Sequence, residues 1–203
     1  NRNKIFDEND KLANREMRQV NVDSATVDKG LHKHFMSKEI AEQPSVLSNA
    51  LNHYLTDDNT AIHLPDVDID FTKIDKITMV ACGTAFLACN VAKYWFEQVA
   101  RIPVEIDVAS EFRYREPPSP DRTLAVFVSQ SGETADTLAA LRYCEGRAQT
   151  ILSVVNVPES SIARESDLTL PIYAGIEVGV ASTKAFTCQL TVLFMLALKA
   201  AQQ

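Results

Sequence analysis

An α/β fold, with a five-stranded parallel sheet held between helices in a three-layer sandwich of flavodoxin-like type, follows from three features of the sequence. Five short apolar or β-branched runs recur along it, helix-period segments lie between them, and a cluster of hydroxyl residues directly follows one of the runs. The runs are KITMVA (76–81), VEIDVA (104–109), TLAVFV (123–128), ILSVVN (151–156) and LTLPIY (168–173). Strand and helix in alternation imply right-handed crossovers and hence parallel strands. A run as evenly apolar as LAVFV suits a strand covered on both faces.

Taken in order, residues 1–30 are polar and without a sustained period, as expected of an arm or linker, and 31–203 form the domain with its N-terminal helices. Leu31, Phe35 and Ile40 begin a helical pattern that Pro44 interrupts. Leu47, Ala50, Leu51, Tyr54 and Leu55 resume it, predicting two helical segments with the second starting past the proline. Between the first two strands, Ala88, Val91, Ala92, Trp95, Phe96 and Val99 mark one buried face. After the third strand the apolar side is Ala135, Leu138, Ala139 and Leu141. The last helix, from Lys184, carries Phe186, Leu190, Leu193, Phe194 and Ala197.

Composition narrows the function classes. The 203 residues are 46% hydrophobic and 23% charged with a net charge of −7, which suits a soluble globular domain and offers no basic excess for a nucleic-acid backbone. No run approaches a membrane span and the first residues are too charged for a secretory signal, so the expected location is the cytoplasm. Cys82, Cys89, Cys144 and Cys188 form no CxxC pair and are expected to be reduced thiols. His32 and His34 stand at i, i+2, which points them apart on a helix, so no metal is expected.

In open parallel sheets, ligands bind beyond the carboxyl ends of the strands. The loop CGTAF (82–86) lacks both the dinucleotide fingerprint and the P-loop, so no nucleotide cofactor is expected. In SQSGET, residues Ser129, Gln130, Ser131 and Thr134 stand at a strand-to-helix junction. There the unpaired amides of a helix N-terminus and neighbouring hydroxyls can hold a phosphate without a fixed positive charge. Ser131 alone could instead be an ordinary helix cap. Glu133 would repel a dianion unless it points away. In AGIEVGVASTKAF (174–186), Gly179, Val180, Ala181 and Ser182 permit close approach of a ligand, with Glu177 and Lys184 as candidate acid, base or orienting groups; the plainer reading is a tight turn with a solvated Lys184. Cys82 at a strand end could be a nucleophile but has no histidine with a local signature, and a buried structural thiol is the favoured reading.

The motifs CGTAF, ASEFRYR, SQSGETADT, NVPESSIARESD and GVASTKAFTCQLT, in this order, closely resemble the first sugar isomerase (SIS) domain of glutamine–fructose-6-phosphate aminotransferases, from HFMSKEIAEQP (34–44) onward. That family joins a glutaminase to an isomerase half of two SIS domains, and it converts fructose 6-phosphate and ammonia to glucosamine 6-phosphate. The resemblance implies sugar-phosphate contacts at Thr84, Ser129, Gln130, Ser131 and Thr134, and a sugar-lining stretch at Val180, Ala181 and Ser182. Ala85 departs from the family, which usually has a phosphate-binding serine there. It also implies that the acid–base residues belong to a second SIS domain, so this chain is expected to be a fragment without catalytic residues, partnered by that domain and the glutaminase and pairing as a homodimer. A phosphosugar-sensing regulatory module and a purely structural pseudo-domain are the alternatives.

Overall fold

The computed structural model describes residues 4–7, 9–13, 28–58 and 60–203. Most of the expected N-terminal arm therefore lies outside the described residues. Five strands form one sheet: β1 (Lys76–Ala81), β2 (Val104–Val108), β3 (Thr123–Ser129), β4 (Thr150–Val155) and β5 (Leu168–Pro171). Their spatial order is β2-β1-β3-β4-β5. Every neighbouring pair is parallel, with Met79 beside Ile106 and Val126, and Val128 beside Val154.

Among the described residues, six α-helices accompany the sheet: α1 (Phe35–Tyr54), α2 (Gly83–Trp95), α3 (Ala109–Arg115), α4 (Ala135–Cys144), α5 (Ser161–Glu165) and α6 (Lys184–Ala201). The two-residue period of the strands sorts them into two layers. Ile77, Met79, Leu124, Val126, Val128, Leu152 and Val154 point into a core with α1, α2 and α6. Val80, Ala125, Phe127, Ile151 and Val155 point the other way, onto α3, α4 and α5. The three inner strands β1, β3 and β4 are almost wholly buried because both their faces are covered, whereas the edge strand β2 is largely half-buried and carries Glu105 and Asp107.

Several local readings change. The N-terminal pattern is one helix, α1, that runs through Pro44 rather than two segments. Proline removes one N–H, and the carbonyl it would have served belongs to Ile40, which like Pro44 is exposed, so water can replace the lost bond. Tertiary anchoring holds the rest: Ala50 and Tyr54 are fully buried, and the Tyr54 hydroxyl donates to the Pro171 carbonyl at 2.5 Å. In α2, Val91 is exposed, and so is Val99 in the π-helical turn Phe96–Ala100 that follows; the buried side is Ala88, Cys89, Ala92 and Phe96. In α4 the buried residues are Thr137, Ala140, Leu141 and Cys144, with Ala135 exposed. Ala109 opens α3 instead of ending β2, and the short helices α3 and α5 had no periodic signal to reveal them. Helix α6 is long and apolar enough to cross a membrane by length and composition, with a mean hydropathy of 1.3. Here Cys188, Val192, Leu193 and Leu196 are fully buried in the core it shares with α1, α2 and the sheet.

Candidate functional site

Strand order reverses at β1: β2 lies on one side of it and β3 on the other. The segments leaving β1 and β3 therefore diverge onto opposite faces and open a crevice at the carboxyl edge, the place such sheets reserve for ligands. A cleft of about 310 Å³ lies there, walled by Gly83 and Thr84 after β1, the 129–134 turn after β3, and Gly179, Val180 and Ser182 before α6.

Helix α2 begins at once, at Gly83, so Thr84 and Ala85 occupy its first turn instead of a loop. Gly83 has φ +58°, a left-handed conformation that glycine adopts without strain. Cys82 is the N-cap residue and gives no side-chain cap. The first-turn amides of α2 thus lack intrahelical partners and face the cleft end of the sheet. Ala85 adds no hydroxyl but retains its amide.

The 129–134 turn is built from its own side chains. Ser129 Oγ is buried, accepts the Gly132 N–H at 3.0 Å and lies 3.0 Å from Thr134 Oγ1. Ser131 Oγ accepts the Glu133 N–H at 3.2 Å and the residue is exposed. Ser131 is consequently not the helix cap: α4 starts at Ala135 with Thr134 as N-cap residue and no side-chain cap bond. The amides of Ala135, Asp136 and Thr137 are left without intrahelical acceptors. Gly132, at φ +67°, packs so closely on Ser160 that a Cβ would fall 1.9 Å from its Oγ. Glu133 turns away from the cleft and accepts the Ser161 N–H at 2.8 Å. That backbone bond, with the Ser161 side chain, holds its carboxyl below the usual range. The repulsion foreseen for a bound dianion is therefore diverted to the N-terminus of α5.

The loop before α6 is fastened by acidic side chains. Glu39 on α1, 2% exposed, accepts the N–H groups of Val178 (2.6 Å) and Gly179 (3.0 Å). Glu177 accepts the Thr183 N–H at 2.8 Å and the Ala185 N–H at 3.3 Å, which caps α6. Lys184 is buried, not solvated, and its Nζ lies 2.7 Å from Glu42 Oε2. Burial raises the Glu42 pKa, but the Lys184 hydrogen bond and charge, with Lys38, outweigh it and hold the carboxyl below its ordinary value. Lys184 is thus committed to structure, whereas Glu177 both caps α6 and borders the cleft. Asn156, after β4, clips the start of the loop by accepting the Ala174 N–H and donating to the Gly175 carbonyl.

Seven of the eight residues foreseen from sequence (Thr84, Ser129, Gln130, Ser131, Thr134, Val180 and Ser182) border this one cleft, together with Cys82. Ala181 lies between two of them, exposed, and does not border it. Among the described residues the cleft has no lysine, arginine or histidine in its wall, so a bound anion would depend on neutral donors. Burial pushes the thiols of Cys89 up to about 12 and of Cys144 and Cys188 up to about 11, which makes them poor nucleophiles. Sequence reasoning missed Glu39, Glu42, Asn156 and Gln189. Gln189 is 1% exposed and borders the cleft. Its Oε1 and the Ser182 Oγ are buried without hydrogen-bond partners, a state that costs about 1–3 kcal/mol for each group.

The SIS domain family model matches residues 70–199, which contain the whole sheet and the cleft. The chain belongs to the SIS domain family. It is 55% identical over 198 residues to the glutamine–fructose-6-phosphate aminotransferase (isomerizing) of Brucella abortus, covering 98% of this chain and 33% of that protein. With the same enzyme of Rhizobium meliloti it shares 57% identity, covering 97% and 32%. The chain therefore spans about a third of the length of these curated relatives. Among solved structures, the C-terminal domain of glucosamine-fructose-6-phosphate aminotransferase from Francisella tularensis matches with a TM-score of 0.82 at 45% identity, covering 86% of this chain and 49% of that one. Glucosamine-6-phosphate deaminase from Thermotoga maritima matches with a TM-score of 0.67 at 27% identity, over 84% and 50%. This SIS domain is thus homologous to the SIS region of the aminotransferases.

Proposed function

We propose that the cleft binds a phosphorylated ketose or amino sugar, with the phosphate at the 129–134 turn and the sugar along Val180 to Ser182. In this reading the chain is the first SIS domain of a cytoplasmic, homodimeric glutamine–fructose-6-phosphate aminotransferase in amino sugar biosynthesis. Its ligands are fructose 6-phosphate and glucosamine 6-phosphate. Ammonia comes from a glutaminase partner and acid–base chemistry from a second SIS domain. The observation that carries the reading is the convergence of two uncapped helix N-termini, α2 and α4, with the hydroxyls of Thr84, Ser131 and Thr134 on one cleft. Such donors stabilise an anion and release it readily, as a substrate site requires. The names of the aminotransferase relatives support the choice of ligand.

Thermal denaturation tests it. Millimolar fructose 6-phosphate should raise the melting temperature of the 203-residue chain more than fructose does. Ser131→Ala should remove that difference while the unliganded melting temperature changes little, because Ser131 is exposed. Equal responses to fructose and fructose 6-phosphate in the unmutated chain would overturn the phosphate assignment.

A further inference from the structure

Helix α6 turns an almost wholly apolar face to the core: Ala185, Cys188, Val192, Leu193 and Leu196 are fully buried. Gln189 interrupts that face. Its side chain borders the cleft, and its Oε1 has no hydrogen-bond partner. Four other buried side-chain atoms share that condition among the described residues. Of them only Ser182 Oγ belongs to a residue bordering the same cleft. Both residues come from the α6 side, whereas the phosphate turn is built between β3 and α4. A leucine or methionine at 189 would complete the core with no such penalty, so the position is better explained by what enters the cleft than by folding.

The chemistry of the orphan group narrows the occupant. An oxygen acceptor needs a donor, and the dianionic phosphate group of a sugar phosphate has none to give. A sugar hydroxyl does, and it can at the same time accept from the Gln189 amide N–H₂. We propose that Gln189, with Ser182 beside it on the α6 wall, is a specificity-determining residue that hydrogen-bonds the hydroxyl-bearing carbon chain of the ligand. The proposal rests on the sugar-phosphate reading above and adds the residue that separates a sugar phosphate from phosphate alone.

The test compares the unmutated 203-residue chain with Gln189→Met, which keeps nearly the same volume, in titrations with fructose 6-phosphate and with inorganic phosphate. The variant should melt at the same temperature as the unmutated chain or higher, because a buried amide oxygen without a partner is gone. Its Kd for fructose 6-phosphate should rise about tenfold while its Kd for inorganic phosphate stays within about twofold. Unchanged affinity for fructose 6-phosphate would overturn the proposal and leave the functional reading standing. Equal weakening of both ligands, or a lower melting temperature with loss of both, would assign Gln189 to packing and overturn it as well. Failure of the unmutated chain to bind fructose 6-phosphate would overturn both. If Gln189→Met does not fold, Ser182→Ala supplies the same comparison, with selective loss of fructose 6-phosphate expected and equal affinity counting against the proposal.

Discussion

The turn after β3 and the loop before α6 face each other across one cleft but keep their shapes by different means. The 129–134 turn is held by bonds between residues no more than five apart: Ser129 with Gly132 and Thr134, Ser131 with Glu133. Gly132 against Ser160 and Glu133 against Ser161 reach further, as do the backbone bonds from the Asn156 N–H to the Gln130 carbonyl and from the Ile162 N–H to the Gly132 carbonyl. The loop at 174–183 is held chiefly from outside, by Glu39 some 140 residues away in sequence, while Glu42 anchors Lys184 at its end. A site that must clasp an anion in a fixed geometry gains from the first arrangement. A wall that lines a sugar can be carried on a helix elsewhere in the fold, and its position then depends on that helix.

The largest expected effect breaks the self-contained turn. Gly132→Ala puts a Cβ in a left-handed conformation and within 2.4 Å of the Ser160 Cβ as well as 1.9 Å of its Oγ. Ser160 is 2% exposed and has nowhere to retreat. The strain and the overpacking together are expected to cost about 2–4 kcal/mol, lowering the melting temperature by roughly 5–15 °C for a chain of this size. Thermal denaturation of the variant measures it. A shift within experimental error would mean that the turn is not locked against α5.

This difference also explains what could be read in advance. The sheet was legible because its inner strands β1, β3 and β4 are buried on both faces, and residue type alone reports that burial. The 129–134 turn was legible because its partners are neighbours in sequence, although Ser131 had been weighed as a helix cap and Thr134 occupies that place. The fastening of the second loop was not legible. Glu39 and Glu42 lie in a helix whose other charged and polar residues are mostly solvent-facing, and only the three-dimensional path of α1 brings them to Gly179 and Lys184. The same blindness made Lys184 look solvated. Gln189 was hidden for a related reason, since one polar residue in an apolar helix reads as an exposed position until packing shows that it is buried.

A second, smaller effect separates the two loops. Glu39→Ala leaves the Val178 and Gly179 amides without their charged acceptor, a loss of about 2–3 kcal/mol for bonds of this kind. It should abolish the fructose 6-phosphate response while leaving the 129–134 turn, and hence inorganic phosphate binding, in place. Glu39→Gln keeps one acceptor oxygen and should retain part of the sugar-phosphate response. Titration of both variants with both ligands makes the comparison quantitative. Loss of phosphate binding in Glu39→Ala would show that the two walls are one mechanical unit.

The smallest effect is a dependence on pH that belongs to the externally held loop. Glu42 has a folded-state pKa below its ordinary value because Lys184 and Lys38 favour its charged form over the opposing effect of burial. The unfolded chain therefore takes up this proton first as pH falls. The pair's contribution is complete above the ordinary glutamate value, about 4.3, and is lost as pH falls through the lower folded value. Glu42→Gln removes the charge but keeps an acceptor for Lys184. Because the Glu42 side chain is 27% exposed, the cost at neutral pH is expected to be about 1–2 kcal/mol, less than for a fully desolvated pair. The melting temperatures of the variant and the unmutated chain should then differ at pH 7 and converge as pH falls through the lowered folded value. The other depressed carboxylates, Asp58, Asp70, Glu105, Glu133 and Glu165, titrate in both proteins and cancel from the difference. A gap that stays constant across this range would mean that Glu42 holds Lys184 by shape and hydrogen bonding, not by charge.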